Sequence, residues 1–269
     1  MISKYFLPAA YWNKLKLLIA ATVLRIGIPL KVVIRIDDYD VVFLASTFLE
    51  YFLRAREAYV REPLTVNWMR HYVAKDDVVY DIGANIGGFS LYLGKKVSEG
   101  KGVVYAFEPE ASNFQSLNRN IVLNGLTGKV IPYPIAFGDA RRVGKFYLSS
   151  TESGSSMHSI DKEESEGHYF SAQHIQGIGI YSLNDFVLEP DILFPSHIKI
   201  DVDGVETQIV QHMDQIIFDS RLRSVMIEIN EDISKGMIER TLLNAGFEEC
   251  DRERWPGKNV VNVLFTRTA

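Results

Sequence analysis

One acidic residue and three glycines lie in one short segment, residues 81–88. Asp81 follows a short apolar run, Gly83 and Gly87 come after it, and residues 89–97 have helical spacing. Glycines permit a sharp turn and a close approach of a ligand to the backbone, and a helix N-terminus presents free N–H groups. This pattern predicts a strand, a glycine-rich turn and a helix, with a ligand site at the carboxyl end of the strand.

Another carboxylate stands at the end of the next predicted strand. Glu108 follows the apolar run at residues 102–107. A carboxylate in that place can accept both hydrogen bonds from a ribose 2′,3′-diol. The pair Asp81 and Glu108 therefore fits NAD, FAD and S-adenosylmethionine alike.

Asn85 separates these cofactors. The dinucleotide pattern G-x-G-x-x-G has a glycine where Asn85 stands here, and that glycine lets a pyrophosphate approach the backbone. S-adenosylmethionine has no pyrophosphate, and its ammonium and sulfonium groups suit an acid such as Asp81. The turn favours S-adenosylmethionine, and an NAD(P)-dependent oxidoreductase is the competing interpretation.

Composition limits the class of protein. The chain has 269 residues, of which 47% are hydrophobic, so it can bury one large core and a small appendage. Its net charge of −5 argues against nucleic acid as the partner. The single cysteine, Cys250, excludes an internal disulfide and a cysteine zinc site, and we expect a cytoplasmic location.

Residues 1–36 differ from the rest of the chain because they carry basic residues and no acid; these are Lys4, Lys14, Lys16, Arg25, Lys31 and Arg35. The uncharged run at residues 17–24 is too short to span a membrane, and no clear secretory cleavage site follows it. Such an arm packs on its own domain or a second subunit, or contacts an anionic membrane surface peripherally. A non-catalytic membrane-surface module is the third interpretation of the chain.

The elements that position these residues alternate along the chain. We predict a hairpin at 31–46, helices at 48–60, 63–73, 87–97, 111–124, 206–218 and 234–245, strands at 78–83, 103–108, 129–136, 145–149, 197–206 and 224–230, a polar loop at 151–177 and a C-terminal antiparallel hairpin. This order predicts a doubly wound α/β sheet with one reversed strand. We divide the chain into an N-terminal arm and hairpin, residues 1–60, and a cofactor domain, residues 61–269.

Several linked motifs resemble one family. The segments DIGANIGGFS, AFEPEASNFQSLNRNIVLNG, PIAFGD, GSSM, IYSLNDFV and IKIDVDGVE occur in the order found in FkbM-type S-adenosylmethionine-dependent methyltransferases. The resemblance covers residues 60–230 and implies a class I, Rossmann-like fold with a seven-stranded sheet. It also implies O-methylation of a sugar, glycan or polyketide hydroxyl. Asp203 departs from the family, which more often has glutamate there.

The resemblance implies roles for the residues of the first turn. Asp81, Gly83, Asn85 and Gly87 would hold the methionine part of the cofactor, and Glu108 would bind the ribose hydroxyls.

Residues after the third strand would flank the adenine by the same resemblance. These are Ala136, Phe137 and Asp139. Phe137 could instead belong to the core, and Asp139 could cap a turn. We expect no cofactor role for the asparagines of the helix at 111–124.

The predicted methyl transfer depends more on the alignment of the acceptor oxygen, the methyl group and the sulfur than on reactive side chains. Methyl transfer from a sulfonium is an in-line displacement, and an aliphatic hydroxyl gains from a base that accepts its proton. Asp201 is the predicted base because it ends the fourth strand beside the ligand site. Asp203 would contact the substrate, and both Asp203 and Glu206 could instead stabilise a helix N-terminus.

The loop at 151–177 is long and polar, which favours a lid or substrate loop. It contains Ser156, a predicted substrate contact, and three histidines, His158, His168 and His174. His158 is the alternative base because histidine titrates near neutrality.

A metal-assisted reaction is a further alternative. Asp201, Glu228 and Asn230 could supply oxygens to Mg²⁺. Their spacing is not diagnostic of a metal site, and capping of strand ends explains them equally well. We therefore predict no metal ligand in this chain.

Overall fold

A computed structural model describes residues 9–165 and 167–267, with side chains from residue 14 onward. The strands are β1 (Leu30–Ile36), β2 (Tyr39–Ala45), β3 (Val78–Ile82), β4 (Val103–Phe107), β5 (Val130–Tyr133), β6 (Ile135–Phe137), β7 (Arg142–Leu148), β8 (Ser159–Ile160), β9 (Glu164–Ser165), β10 (His168–Tyr169), β11 (His174–Tyr181), β12 (His197–Ile200), β13 (Ser224–Asn230), β14 (Glu248–Arg254) and β15 (Val260–Thr266). The α-helices are α1 (Ala9–Arg25), α2 (Ala58–Arg61), α3 (Pro63–His71), α4 (Gly88–Val97), α5 (Ala111–Leu123), α6 (Leu183–Phe186), α7 (Glu206–Gln211), α8 (Asp214–Ile217), α9 (Glu231–Ser234) and α10 (Met237–Asn244). A π-helical segment, Glu50–Arg56, precedes α2.

A seven-stranded sheet organises the chain, in the order β14-β15-β13-β12-β3-β4-β5. The strands from β13 to β5 are parallel, and β15 runs antiparallel to β13. Chain order reverses at β3, which lies between β12 and β4, and ligands bind at such a switch point in open α/β sheets. The prediction of a doubly wound, Rossmann-like sheet with one reversed strand is confirmed.

Hydrophobic clusters cover both faces of this sheet. On one face, Trp68 of α3, Leu91 of α4 and Leu117 of α5 are buried in a common cluster. On the other, Ile209 of α7 and Leu242 of α10 belong to a second cluster. The central strands are buried along their length, as expected for parallel strands covered by helices on both sides.

The hairpin formed by β1 and β2 packs on the first of these clusters. Phe43 is fully buried there, and Asn120 of α5 and Asn124, which caps that helix, bond to β2. The N–H of Leu44 donates to Asn120 Oδ1 at 3.0 Å, and the N–H of Val42 donates to Asn124 Oδ1 at 2.9 Å. These side chains satisfy backbone groups that an unpaired strand edge would expose. The predicted hairpin is confirmed, and the division of the chain at residue 60 stays a prediction.

The predicted arm is described from Ala9 onward, because residues 1–8 lie outside the described residues. Helix α1 leads into β1. In the described part of the chain, no helix is both long and apolar enough to cross a membrane.

The single strand predicted at 129–136 is wrong. The chain forms β5 in the main sheet and β6 in a second sheet ordered β6-β11-β7-β8. Pro134 separates the two strands and has no N–H to continue a hydrogen-bonded ladder. The end of the predicted loop at 151–177 also differs, since β11 begins at His174 and pairs with β7.

Two predicted helices are interrupted. Residues 206–218 form α7 and α8, and residues 234–245 contain the last residue of α9, a break at Lys235 and Gly236, and then α10. Lys235 and Gly236 both have positive φ, of 48° and 73°, which ends α9 and starts α10. Left-handed backbone cannot continue an α-helix.

Candidate active site

The glycine-rich turn follows β3, as predicted. Its glycines are required by close packing within the protein rather than by a ligand. Gly83 and Gly87 have φ of 86° and 97°. A Cβ on Gly83 would lie 1.8 Å from the carbonyl oxygen of Asp201, and one on Gly87 would lie 2.8 Å from Leu117 Cδ1. The glycines therefore allow β12 and α5 to pack closely against the turn.

Asn85 links the turn to two other parts of the site. Its φ of 49° is left-handed, a conformation that asparagine tolerates better than most residues. Its backbone N–H donates to Glu108 Oε2 at 2.8 Å, and its Nδ2 donates to the carbonyl oxygen of Ser155 at 3.0 Å. Nδ2 of Asn113 donates to the same carbonyl at 3.1 Å. Asn85 thus anchors the segment after β7 onto the turn.

Glu108 lies at the end of β4, as predicted, and lines a cavity. It is buried, and its Oε1 accepts the backbone N–H of Glu110 at 2.9 Å. Burial raises the pKa of Glu108 to about 7, although the N–H groups of Glu110 and Asn85 oppose that rise. Each carboxylate oxygen retains a further lone pair, so Glu108 can still accept hydrogen bonds from a ligand.

Asp81 lies behind the cavity rather than among its lining residues. Its Oδ2 accepts a hydrogen bond from Ser90 Oγ, whereas its buried Oδ1 has no hydrogen-bond partner among the described residues. Burial raises the pKa of Asp81, and the charge of Lys199, its register partner on β12, opposes the rise. The cation nearest to Asp81 is therefore supplied by the protein.

Lys199 is a site residue that the sequence analysis did not single out. It is buried, its Nζ donates to Asp201 Oδ2 at 2.8 Å, and it lies 5.1 Å from the ring centre of Phe89. Burial alone would lower the pKa of Lys199, but the charges of Asp201, Asp81 and Glu62 outweigh burial and raise it. The ammonium therefore stays charged. A lysine inside the apolar strand IKI was the available signal, because buried charges require partners.

The cavity at the carboxyl ends of the parallel strands has a volume of about 340 Å³. This lies within the range of small-molecule sites. An apolar group of lining residues comes from β4, β6, β7 and β8, namely Phe107, Ile135, Ala136, Phe137, Phe146 and Ile160. A charged group comes from the end of α2, from β12 and the turn after it, and from β13, namely Glu62, Lys199, Asp201, Asp203 and Glu228.

Of the three residues predicted around adenine, Ala136 and Phe137 line the cavity and are buried. The ring of Phe137 packs edge-on against Phe107 at 4.7 Å. Asp139 lies apart from them: it is exposed, it pairs with Arg142 at 3.3 Å, and it is not among the lining residues. Strand β6 ends at Phe137, so the chain has already turned toward β7 at Asp139.

His158 is buried and lines the cavity, but its hydrogen bonds do not suit a base. Its Nδ1 accepts the backbone N–H of Ser149 at 3.2 Å. A neutral imidazole that accepts at Nδ1 carries its proton at Nε2, and Nε2 has no partner among the described residues. Burial lowers the pKa of His158, so it stays neutral and presents a donor to the cavity.

The remaining residues of the predicted loop divide into two groups. Ser156 lines the cavity together with the buried Ser155, whose Oγ has no partner among the described residues. His168 and His174 lie on exposed strand positions and are not among the lining residues. The structure therefore brings only one of the three histidines to the site.

Glu50 fixes this loop and was missed from sequence. It is fully buried at the start of the π-helical segment. Its Oε1 accepts from Ser116 Oγ and Ser153 Oγ, both at 2.6 Å. Arg54 Nε donates to the carbonyl oxygen of Gly154 at 2.8 Å. The π-helical segment, α5 and the loop are therefore joined around one carboxylate.

Asp203 and Glu206 hold the turn after β12. Asp203 has φ of 58°, and its Oδ2 accepts the N–H of Met157 at 2.6 Å. Glu206 accepts the N–H groups of Val202 at 3.2 Å and of Gly204 at 3.0 Å, and burial raises its pKa to about 7. For Glu206 these bonds favour the turn-stabilising role, while Asp203 also lines the cavity.

The carboxyl groups of Glu62 and Glu228 complete the charged end. Burial raises the pKa of both, and for Glu228 the charges of Asp201 and Glu206 raise it further, well above its usual range. Asn230 Oδ1 instead accepts N–H groups at the start of α9, including that of Asp232 at 3.1 Å. Across the described ranges, no three histidine, cysteine, aspartate or glutamate side chains are arranged to hold a metal.

The cavity lies at the switch point of a doubly wound α/β sheet, where ligands bind in folds of this class. Residues 81–249 match the family model for the Methyltransferase FkbM domain, and the chain belongs to this family. It is a methyltransferase, which excludes the oxidoreductase and the non-catalytic module as descriptions of the chain.

Several proteins of known sequence are similar to this chain. It is 28% identical to the 31-O-demethyl-FK506 methyltransferase FkbM of Streptomyces tacrolimicus, over 75% of this chain and 86% of that protein. It is 26% identical to Methyltransferase 1 of Beauveria bassiana, over 67% and 76%. It is 25% identical to the hexuronic acid methyltransferase AglP of Haloferax volcanii, over 64% and 63%.

Among solved structures, a methyltransferase FkbM from Methylobacillus flagellatus is similar to this chain at 15% identity with a TM-score of 0.49. The match covers 72% of this chain and 44% of that one.

Proposed function

We propose that the protein is an S-adenosylmethionine-dependent O-methyltransferase that acts on a hydroxyl of a sugar, glycan or polyketide-like small molecule. The observation that carries this proposal is the buried carboxylate of Glu108 in the cavity wall. Two backbone N–H groups fix its orientation, at 2.8 Å and 2.9 Å. It lies where a carboxylate can accept the hydroxyls of a ribose.

The lining residues fit this cofactor. Glu108 would bind the ribose, and the apolar group with Phe107, Ala136 and Phe137 would enclose the adenine. Asn85 and the adjacent backbone would hold the methionine part. The carboxylates at the other end of the cavity suit a cationic ligand. Asp81 Oδ1, which has no hydrogen-bond partner among the described residues, adds to the negative potential there.

When bound, S-adenosylmethionine supplies an electrophilic methyl group on a sulfonium. The protein must then hold an acceptor hydroxyl in line and take up its proton. Asp201 uses Oδ2 for the ion pair with Lys199, so Oδ1 is the oxygen that can orient the hydroxyl. His158 Nε2 donates to an acceptor oxygen, and Ser156 and Asp203 contribute to the acceptor wall.

Glu228 is the better proton acceptor of the two carboxylates. Its pKa is raised, whereas Asp201 is held by an ammonium. A cation in the cavity lowers the pKa of a nearby carboxyl group. Binding of the cationic cofactor would therefore move the raised pKa of Glu228 down toward neutral pH. A base whose pKa lies close to the working pH accepts a proton effectively.

The names of two relatives support an oxygen acceptor on a small molecule. One is named for a hexuronic acid and one for 31-O-demethyl-FK506. Basic side chains at the rim of the cavity, Arg61 and Lys258, are compatible with an acceptor that carries a carboxylate.

The test is a mass-detected methyl-transfer screen against uronic acids, neutral sugars and polyketide-like alcohols. We expect transfer to an oxygen, and a Glu228→Gln variant that loses about 10²–10⁴-fold in kcat. The wild-type rate should rise with pH up to the raised pKa of Glu228, because the base acts deprotonated. Glu228→Gln should lose that rise.

Glu248→Gln serves as the control because Glu248 is exposed on β14. Transfer to nitrogen or carbon only would reject the proposal of an O-methyltransferase. An unchanged kcat in Glu228→Gln would reject Glu228 as the base.

A further inference from the structure

Helix α1 presents an apolar face to solvent. Positions 15, 18, 19 and 22 have the spacing that places residues on one side of α1, and Ile26 follows directly after the helix ends at Arg25. Leu18 and Ile19 on that side are 65% and 54% exposed, and Ile26 just beyond the helix is 68% exposed. Ala20 and Leu24, on the opposite side, are buried against the protein. The helix is therefore apolar on two sides, and one of them has no covering element among the described residues.

Basic residues flank this outer face on both sides. Lys16 lies on one flank, and Lys14 and Arg25 lie on the other by helical spacing. All three are exposed, and none has a carboxylate within 4.0 Å in the described ranges. Lys31, at the start of β1, is likewise exposed, and residues 1–36 contain no acid. An apolar stripe between unpaired cations is complementary to a surface that is apolar inside and anionic outside.

We propose that the outer face of α1 docks the enzyme on an anionic lipid surface. The helix lies flat in the interface, with Leu18, Ile19 and Ile26 among the acyl chains and the basic side chains at the phosphate level. A protein partner would need acids opposite both flanks and an apolar ridge between them, whereas a bilayer offers this arrangement anywhere. The rest of the chain is acidic overall, so the attraction is confined to this element.

The experiment is sedimentation of the full chain with vesicles of neutral phosphatidylcholine alone, or with about 30% anionic lipid, at low and high salt. We expect partition into the anionic vesicles only, weakened by salt because the attraction is screened. Replacing Lys14, Lys16 and Arg25 by glutamine should lower the partition coefficient about fivefold per charge.

The decisive variant is Leu18→Ser with Ile26→Ser, which should abolish partition. Its matched control is Val143→Ser with Leu188→Ser, because those apolar residues are 87% and 71% exposed elsewhere. Both double variants should keep the wild-type circular dichroism spectrum. Equal partition of the two double variants, or no binding of the wild type to anionic vesicles, would overturn the proposal. So would a wild-type dimer that only Leu18→Ser with Ile26→Ser dissociates, because a second copy would then cover the face.

Discussion

Lys199 is a buried cation among the carboxyl groups at the charged end of the cavity. Its ammonium neutralises part of the acidic group formed by Asp81, Asp201 and Glu62, which would otherwise be buried with like charges together. It also fixes Asp201 in one orientation through a 2.8 Å bond. The field that a cofactor meets is therefore less negative than the acids in the sequence suggest.

Replacing Lys199 by methionine should destabilise the protein by about 3–5 kcal/mol, because it leaves partly buried carboxylates without their cation. Urea unfolding at neutral pH measures this change. Lys101→Met is the matched control, since Lys101 is exposed, and it should have little effect. An equal stability of the two variants would show that the ion pair contributes nothing.

At the residue scale the sequence predicted identities better than roles. Glu108, Asn85 and Asp201 are at the site, as their positions after strands indicated. The role of His158 could not be inferred, because the donor to its Nδ1 is a backbone N–H that only the tertiary fold places. The position of Asp139 outside the cavity lining could not be inferred for a similar reason, since the end of β6 depends on a sheet that forms with the distant β11.

At the scale of elements, the amino ends of three strands are joined by a buried network on the edge opposite the cavity. His197 Nδ1 bonds to Ser224 Oγ at 2.6 Å, and its Nε2 bonds to Asp77 Oδ2 at 3.0 Å. Trp68 Nε1 donates to the same Ser224 Oγ at 2.8 Å. The buried position of these groups assigns them a structural role, in which they hold β3, β12, β13 and α3 in register.

Ser224→Ala should lower the free energy of unfolding by about 1–3 kcal/mol, because it leaves buried polar atoms of His197 and Trp68 without a partner. Ser220→Ala should leave stability unchanged, since Ser220 is exposed. Thermal unfolding of both variants tests this. Cofactor affinity should stay at the wild-type level in each, and a loss of affinity with normal stability would contradict the assigned role.

Acid should weaken the same network. Burial raises the pKa of Asp77, but the bonds from His197 and the N–H of Ala74 bring it to about 2. Its contribution to stability is therefore present above the unfolded pKa and is lost as the pH falls toward 2. Burial lowers the pKa of His197, so protonation of that side chain also opposes the folded state in acid.

The sequence predicted a helix or strand correctly where the spacing of its hydrophobic residues was regular, as in the hairpin β1-β2 and in α4, α5 and β13. The breaks between β5 and β6 and between α9 and α10 could not be predicted in this way. Pro134, Lys235 and Gly236 cause them through backbone geometry, which the spacing of hydrophobic residues does not report. Helix α1 has apolar residues on both sides, so its sequence alone did not indicate which side faces the protein.

At the scale of the whole molecule, the site depends on contacts between segments far apart in sequence. Glu50 receives hydrogen bonds from Ser116 of α5 and from Ser153 of the loop. Asn85 and Asn113 both bond to the carbonyl oxygen of Ser155 in that loop. The π-helical segment, the glycine turn and α5 thereby hold one wall of the cavity.

Glu50→Gln should release this wall, because the amide cannot accept from all of the donors that the carboxylate serves. Hydrogen exchange should become faster at residues 153–158 and stay unchanged in β12. Glu152→Gln is the control within the same loop, since Glu152 is exposed. Unchanged exchange at 153–158 in Glu50→Gln would mean that Glu50 does not hold the loop.

The most direct test of the whole account is calorimetric titration of the enzyme with S-adenosylmethionine. We expect saturable binding that weakens about tenfold to a hundredfold in Glu108→Ala, because two hydrogen bonds of about 0.5–1.5 kcal/mol each are lost. Asp139→Ala should bind as the wild type does, because Asp139 is exposed and outside the cavity lining. Normal binding by Glu108→Ala, with loss of binding in Asp139→Ala, would contradict the assignment of this cavity as the methyl-donor site.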